Sequence, residues 1–171
     1  NGLDYQGMRT LILLSAIPGS GKSTWARKYQ KEHQNTYIVA SDEIRKELFG
    51  SEECFKNEKL VWDTFCNRLN EHVEDMSDLT VIADATHLSN RLRKMYYELT
   101  PGFDKHVLVV FDIPFEISLY QNSMRQRKVP LDAMNRLKNE YERPSKEIED
   151  LYDEVIYVKD FISPEAKKLS K

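Results

Sequence analysis

Eight residues, Ala16-Ile17-Pro18-Gly19-Ser20-Gly21-Lys22-Ser23, constrain this chain more than any other segment. They follow the apolar run Leu11-Ile12-Leu13-Leu14 and precede Thr24-Trp25-Ala26-Arg27-Lys28-Tyr29, which reads as a helix. A strand, a glycine-bearing loop and Gly-Lys-Ser opening a helix form the phosphate-binding P-loop arrangement. Successive backbone N–H groups of such a loop point inward and surround phosphate oxygens, and the helix adds its positive end. Gly19 and Gly21 suit backbone conformations that a Cβ would obstruct. Ser20 and Thr24 complete the cradle, Lys22 reaches the terminal phosphates, and the Ser23 hydroxyl takes a place on Mg²⁺. Ala16 stands where the pattern usually has Gly, which is compatible with the loop if that residue keeps a negative φ. The expected ligand is ATP or GTP. The competing reading is a plain Gly/Ser turn between two elements.

Apolar, β-branched runs recur at Leu11–Leu14, Tyr37–Ala40, Leu79–Ala83, Val107–Phe111 and Val155–Val158. Helical patterns separate them at about 23–33, 43–49, 57–75, 89–99, 115–127 and 131–141. Within 57–75, Val61, Phe65, Leu69 and Val73 recur every fourth residue, a stripe that packs on a sheet rather than binding a ligand. Alternating strands and helices predict an α/β fold, a five-stranded parallel sheet with helices on both faces. At 171 residues one domain is expected, running 8–171, with Asn1 to Gly7 read as a remnant of expression ahead of Met8.

The composition, 40% apolar and 31% charged, excludes a disordered chain. No apolar run approaches a membrane span and no signal peptide is visible, so a membrane partner is not expected. Cys54 and Cys66 lack metal-ligand spacing and read as reduced, partly buried thiols on helical segments of a cytoplasmic protein. A net charge of −3 gives no general attraction to nucleic acid. Between Gln121 and Lys146, however, seven basic residues stand against three acidic ones, a local +4. That patch suits a few phosphates, or it is a solvated helical surface.

Ligands of open α/β sheets bind beyond the carboxyl ends of the strands. The second strand ends in Ala40-Ser41-Asp42-Glu43-Ile44-Arg45. Asp42, in the loop at that edge, could align an acceptor hydroxyl and take its proton, or could cap the following helix. Arg45, one turn on, could hold an anionic group of the acceptor. The third strand ends in Asp84, a candidate partner of Mg²⁺ or of the acceptor, or else a cap for the helix beginning near Ser89. His87 lies in the same loop without a second ligand and reads as a surface or hydrogen-bonded residue. The fourth strand leads to a helix whose last turn, before Pro130, carries Arg125, Arg127 and Lys128. Such arginines close over a triphosphate, or simply favour a helix C-terminus. Being two apart, Arg125 and Arg127 would face different sides of a regular helix.

Taken in order, PGSGKSTWAR, SDEIRKELFG, IADATHLSNRLR and FDIP with NSMRQRKVP resemble the kinase domain of phage polynucleotide 5′-kinase and the small P-loop kinases related to it. The resemblance spans Met8 to about Val158. It implies an adenylate-kinase-like sheet, ATP with Mg²⁺, and transfer of the γ-phosphate to a 5′-hydroxyl of RNA or DNA. On that likeness Lys22 and Ser23 serve the phosphates and metal, Asp42 is the general base, Arg45 clamps the acceptor's 3′-phosphate, and Arg125 is the lid arginine. Gln121 stands where the phage pattern has another arginine, and the Asp of DATHL falls at a different place. Two other functions remain open: a small-metabolite kinase acting on a sugar, nucleoside or sugar nucleotide, and a nucleotide-dependent switch or toxin-like module.

Overall fold

A computed structural model describes residues 7–159; the ends of the expected leader and of the expected domain lie outside the described residues. Five strands, β1 (Arg9–Ser15), β2 (Thr36–Ala40), β3 (Leu79–Asp84), β4 (Lys105–Phe111) and β5 (Glu154–Val158), form one parallel sheet in the order β2-β3-β1-β4-β5. Each strand repeats the apolar run that the sequence shows, extended by one to three residues where neighbouring carbonyls complete the ladder. The helices are α1 (Lys22–Glu32), α2 (Ser41–Phe49), α3 (Glu58–Leu69), α4 (Asn90–Glu98), α5 (Phe115–Met124), α6 (Leu131–Glu140) and α7 (Lys146–Leu151).

Alternation along β1 divides the core. Leu11 and Leu13 face one side, where α2, α3, α4 and α7 supply Ile44, Phe65, Tyr96 and Ile148. Ile12 and Leu14 face the other, where α1 supplies Ala26 with Trp25 and Tyr29 beside it. The stripe Val61, Phe65, Leu69 and Val73 is buried against the first side, as its spacing requires. Burial on both faces is what makes the inner strands β1, β3 and β4 nearly continuously apolar, while Tyr37 on β2 and Ile156 on β5 stay exposed at the edges.

Two helix ends and one whole helix differ from the pattern reading. α3 stops at Leu69 because the Asn70 amide donates to the Cys66 and Leu99 carbonyls, and residues 70–75 continue as turns that still bury Val73. α5 stops at Met124, and Arg125 is already extended. The Asn122 side chain donates to the Val129 carbonyl at 2.8 Å and accepts from the Val129 N–H at 3.1 Å, folding 125–129 back against the helix end. Arg125, Arg127 and Lys128 are therefore loop residues, and the argument from helical sides does not apply to them. The short α7, capped by the Ser145 hydroxyl on Ile148 N–H, was hidden because it buries only one residue, Ile148. Cys54 lies on the α2–α3 connection rather than in a helix.

Candidate functional site

The loop between β1 and α1 is built as its glycines require. Gly19 and Gly21 have φ of 84° and 88°. A Cβ on Gly19 would overlap the Ser118 carbonyl oxygen, so α5 lies directly over this turn. The Gln121 amide donates to the Gly19 carbonyl at 2.7 Å, and the Ser20 and Ser118 hydroxyls meet at 3.1 Å. From the other side, Ala16 N–H donates to the Thr86 carbonyl and Ser15 Oγ to the His87 carbonyl. The loop is thus held between α5 and the β3–α4 connection. No side chain caps the N-terminus of α1 and its first turn carries no acid. Its N–H groups and positive dipole end remain available to an anion.

Among the described residues Lys22 forms no ion pair. Thr24 is exposed, its hydroxyl 3.4 Å from Arg27. Ser23 Oγ donates to Asp84 Oδ2 at 2.9 Å, and Asp84, at the carboxyl end of β3, is only 6% exposed. Asp84 does not cap the next helix; the Ser89 hydroxyl does, accepting from Leu92 N–H. A hydroxyl beside a buried, cation-free carboxylate is a donor set that suits Mg²⁺, which keeps several waters and takes few protein oxygens. Among the described residues no group of three or more His, Cys, Asp or Glu converges to hold a metal. Such an ion would complete its shell with phosphate and water.

Asp42 is a residue of the first turn of α2, not of a loop, and neither it nor Ser41 caps that helix. Its carboxylate lies between two guanidiniums, Arg45 Nη1 at 2.9 Å and Arg127 Nη1 at 3.3 Å. Arg45 is deeply buried and closes on Glu58, Nε at 3.0 and 3.2 Å and Nη2 at 2.6 Å. Burial presses its guanidinium toward neutrality, but Glu58 and Asp42 together outweigh this and raise its pKa. As placed, Arg45 orients Asp42 rather than standing open to an acceptor phosphate. Arg127 also lies 3.1 Å from Glu52 and 3.6 Å from Glu53, ion pairs without hydrogen-bond geometry at Nε. Arg125 has no carboxylate partner among the described residues. Its Nε donates to the Arg127 carbonyl, and burial, then the Arg127 charge, lower its pKa.

The basic residues counted between 121 and 146 do not form one patch. Lys138 sits over the Phe115 ring, Arg143 over Tyr157, and Lys146 pairs with Asp150. Sequence reasoning missed Glu58, which as an acid opening a helix carries no distinguishing mark. It also missed Arg93, fully buried with no carboxylate partner among the described residues and bonded to Ser15 Oγ, the Leu88 carbonyl and Asn90 Oδ1. His87 is buried rather than on the surface. Its Nδ1–H donates to the Leu14 carbonyl at 2.7 Å while Nε2 has no hydrogen-bond partner.

A family model described as an AAA domain (AAA_33) matches residues 11–144. L-seryl-tRNA(Sec) kinase of Methanococcus maripaludis is 25% identical over 139 residues, 78% of this chain and 53% of that protein. The chain spans about half the length of the curated relatives it matches. In the Pnkp1/Rnl/Hen1 RNA repair complex, one chain superposes with a TM-score of 0.68 at 18% identity, over 90% of this chain and 49% of that one. A gluconokinase from Sinorhizobium meliloti 1021 superposes with a TM-score of 0.63 at 17% identity, over 95% and 88%. At those identities the two structures establish the fold, which is that of the P-loop kinases. No helix among the described residues is long and apolar enough to cross a membrane. The family match takes in the phosphate loop, most of β1 and all of β2, β3 and β4, and the chain belongs to the AAA domain family of P-loop kinase fold.

Proposed function

We propose that this protein transfers the γ-phosphate of ATP to the 5′-hydroxyl at the end of a polynucleotide. The observation that carries the reading is the contact of Asp42 with Arg127, 85 residues apart in sequence, at the sheet edge that also holds the phosphate loop. A carboxylate gripped by an arginine of the 125–129 loop has the parts that transfer to an alcohol needs: a base for the hydroxyl proton and cations for the phosphoryl group. Two similar proteins support the direction, one a kinase of L-seryl-tRNA(Sec) and the other a chain of an RNA repair complex.

In this reading the loop N–H groups, Ser20 and Thr24 surround the triphosphate, Lys22 neutralises its terminal oxygens, and Arg125 covers the donor phosphates. Ser23 and Asp84 would hold Mg²⁺, whose charge would neutralise that of the phosphates. Asp42 aligns the acceptor hydroxyl, whose oxygen bonds to the γ-phosphorus as the bond to the bridging oxygen of ADP breaks. The hydroxyl proton passes to Asp42 late in the step. Arg45, fixed by Glu58, keeps that carboxylate in place. Arg127 leaves Asp42 as the acceptor enters.

The measurement is transfer from γ-labelled ATP to 5′-hydroxyl oligonucleotides, nucleoside 3′-monophosphates and a panel of sugars. Asp42→Asn is expected to lower transfer by roughly a hundredfold or more while leaving the affinity for ATP unchanged. Lys22→Ala is expected to damage transfer through loss of a positioned cation. Full activity of Asp42→Asn removes that carboxylate from the mechanism. A second reading, a small-metabolite kinase, draws on the gluconokinase, whose chain this one covers almost fully. Label moving only to a sugar would establish it.

A further inference from the structure

Arg45 has aromatic neighbours as well as carboxylates. Its Cζ lies 4.9 Å from the centre of the Phe55 ring and 5.4 Å from that of Trp62. Trp62 is anchored, edge-on to the buried Phe65 at 5.3 Å. Phe55 is not: it stands on the α2–α3 connection, 59% exposed, among the most exposed large apolar side chains described. A phenylalanine in water contributes nothing to the core that would account for its being there. Its ring is instead braced on one guanidinium, the same one whose Nη1 holds Asp42 at 2.9 Å.

We propose that Phe55, braced by Arg45, is the platform on which the nucleobase of the acceptor's terminal nucleotide stacks. The proposal rests on the 5′-hydroxyl kinase reading and names what that site recognises beyond the hydroxyl. Carboxylate and ring touch one guanidinium, Asp42 at Nη1 and the ring at Cζ, which keeps both within the reach of a nucleoside from its 5′-oxygen to its base. With the hydroxyl on Asp42, the base lies over the ring. Every base has a π-face, so such a platform tolerates any sequence. A cation behind the ring holds its orientation through attraction to the ring quadrupole. Glu52 and Glu53 on the same connection oppose further phosphates, so the contact is confined to the chain end rather than to a long track. An acyclic or polyhydroxy acceptor offers no flat face for this ring to meet.

The test compares two acceptors, a nucleoside 3′-monophosphate and the abasic ribose 3-phosphate, with wild-type protein, Phe55→Ala and Phe55→Trp, using γ-labelled ATP. The readout is the ratio of kcat/KM between the base-bearing and the abasic acceptor, with the KM for ATP as a check on the donor side. Phe55→Ala is expected to lower that ratio by about fivefold to a hundredfold, the range for losing one base–aromatic stack, and Phe55→Trp to retain it. An unchanged ratio in Phe55→Ala overturns the platform and leaves the kinase reading standing. A loss shared equally by both acceptors does the same, because it marks Phe55 as a support for the loop. If the wild-type protein labels neither acceptor, nor any 5′-hydroxyl oligonucleotide, the kinase reading falls and the platform with it.

Discussion

His87 ties the stability of this protein to pH in a way that can be calculated and measured. Burial drives its pKa down to about 4; the Leu14 and Ala85 carbonyls oppose this, and the charges of Lys22 and Arg93 reinforce it. The native ring is neutral, with Nδ1–H on the Leu14 carbonyl and Nε2 a bare lone pair. Protonation would bury a positive ring beside the Lys22 and Arg93 charges inside the protein. In the unfolded chain the same ring titrates near 6.5, so the unfolded state binds more protons between the two values and stability falls as pH falls through that window. Each unit of difference is about 1.4 kcal/mol, so the full effect is about 3 kcal/mol, and the part lost between pH 7 and pH 5 is about 2 kcal/mol.

Other groups titrate over the same range; His106, whose pKa burial lowers, is one of them. A difference experiment removes them. Asn is the replacement of choice, because His87 has φ of 43° and Asn tolerates that region. His87→Asn loses ring packing on Tyr96 and Phe65 and is expected to be less stable at pH 7. Its urea-unfolding free energy should nevertheless fall by about 2 kcal/mol less than that of the wild type on going to pH 5. Parallel curves for the two proteins would refute the burial argument.

Glu58→Gln tests the support of Asp42. Replacing two charged oxygens by one acceptor and an amide removes most of the Arg45 contact, at a cost of about 1 to 2 kcal/mol given that Glu58 is partly exposed. The melting midpoint should drop by about 2 to 8 °C and kcat should fall with KM for ATP held; an unchanged midpoint and kcat would exclude the role. A glycine pair separates two kinds of strain. Gly50→Ala meets open space at φ of 79° and should cost about 1 kcal/mol, whereas Gly19→Ala adds collision with the Ser118 carbonyl and should cost about 2 to 4 kcal/mol. Equal losses in denaturant unfolding would show that α5 does not press on the loop.

The sheet was legible because a strand covered on both faces must be apolar at every position, and such runs are short and visible. β1 and β4 read directly as Leu11–Leu14 and Val107–Phe111. Helix ends were not, because each is fixed by a contact outside its own pattern. Asn70 ends α3 by reaching the Leu99 carbonyl, and Asn122 ends α5 by binding Val129 through both side-chain atoms. An asparagine inside an amphipathic run gives no warning of which carbonyl it will meet. α7 buries too little to leave a period at all.

The site divides along the same line. Its proposed donor half is local: Gly19, Gly21, Lys22 and Ser23 fall within five residues, and each position is specified by backbone geometry or by reach, so residue types alone point to them. Its acceptor half is tertiary. Counting charge in the window from 121 to 146 treats Arg127 as a free cation, yet its partners Asp42, Glu52 and Glu53 lie some 75 to 85 residues earlier in the chain. Net charge in a window measures attraction only if the charges are not already neutralised across the fold. The same reasoning makes Arg93 invisible: its buried guanidinium donates through Nη1 and Nη2 to Asn90, Ser15 and Leu88, and to no acid a charge count would pair with it. Asp42 could be read as a base from its position after a strand. That two guanidiniums share it, and that Glu58 and Phe55 frame one of them, follows only from bringing α2, the α2–α3 connection and the 125–129 loop together at the edge of the sheet.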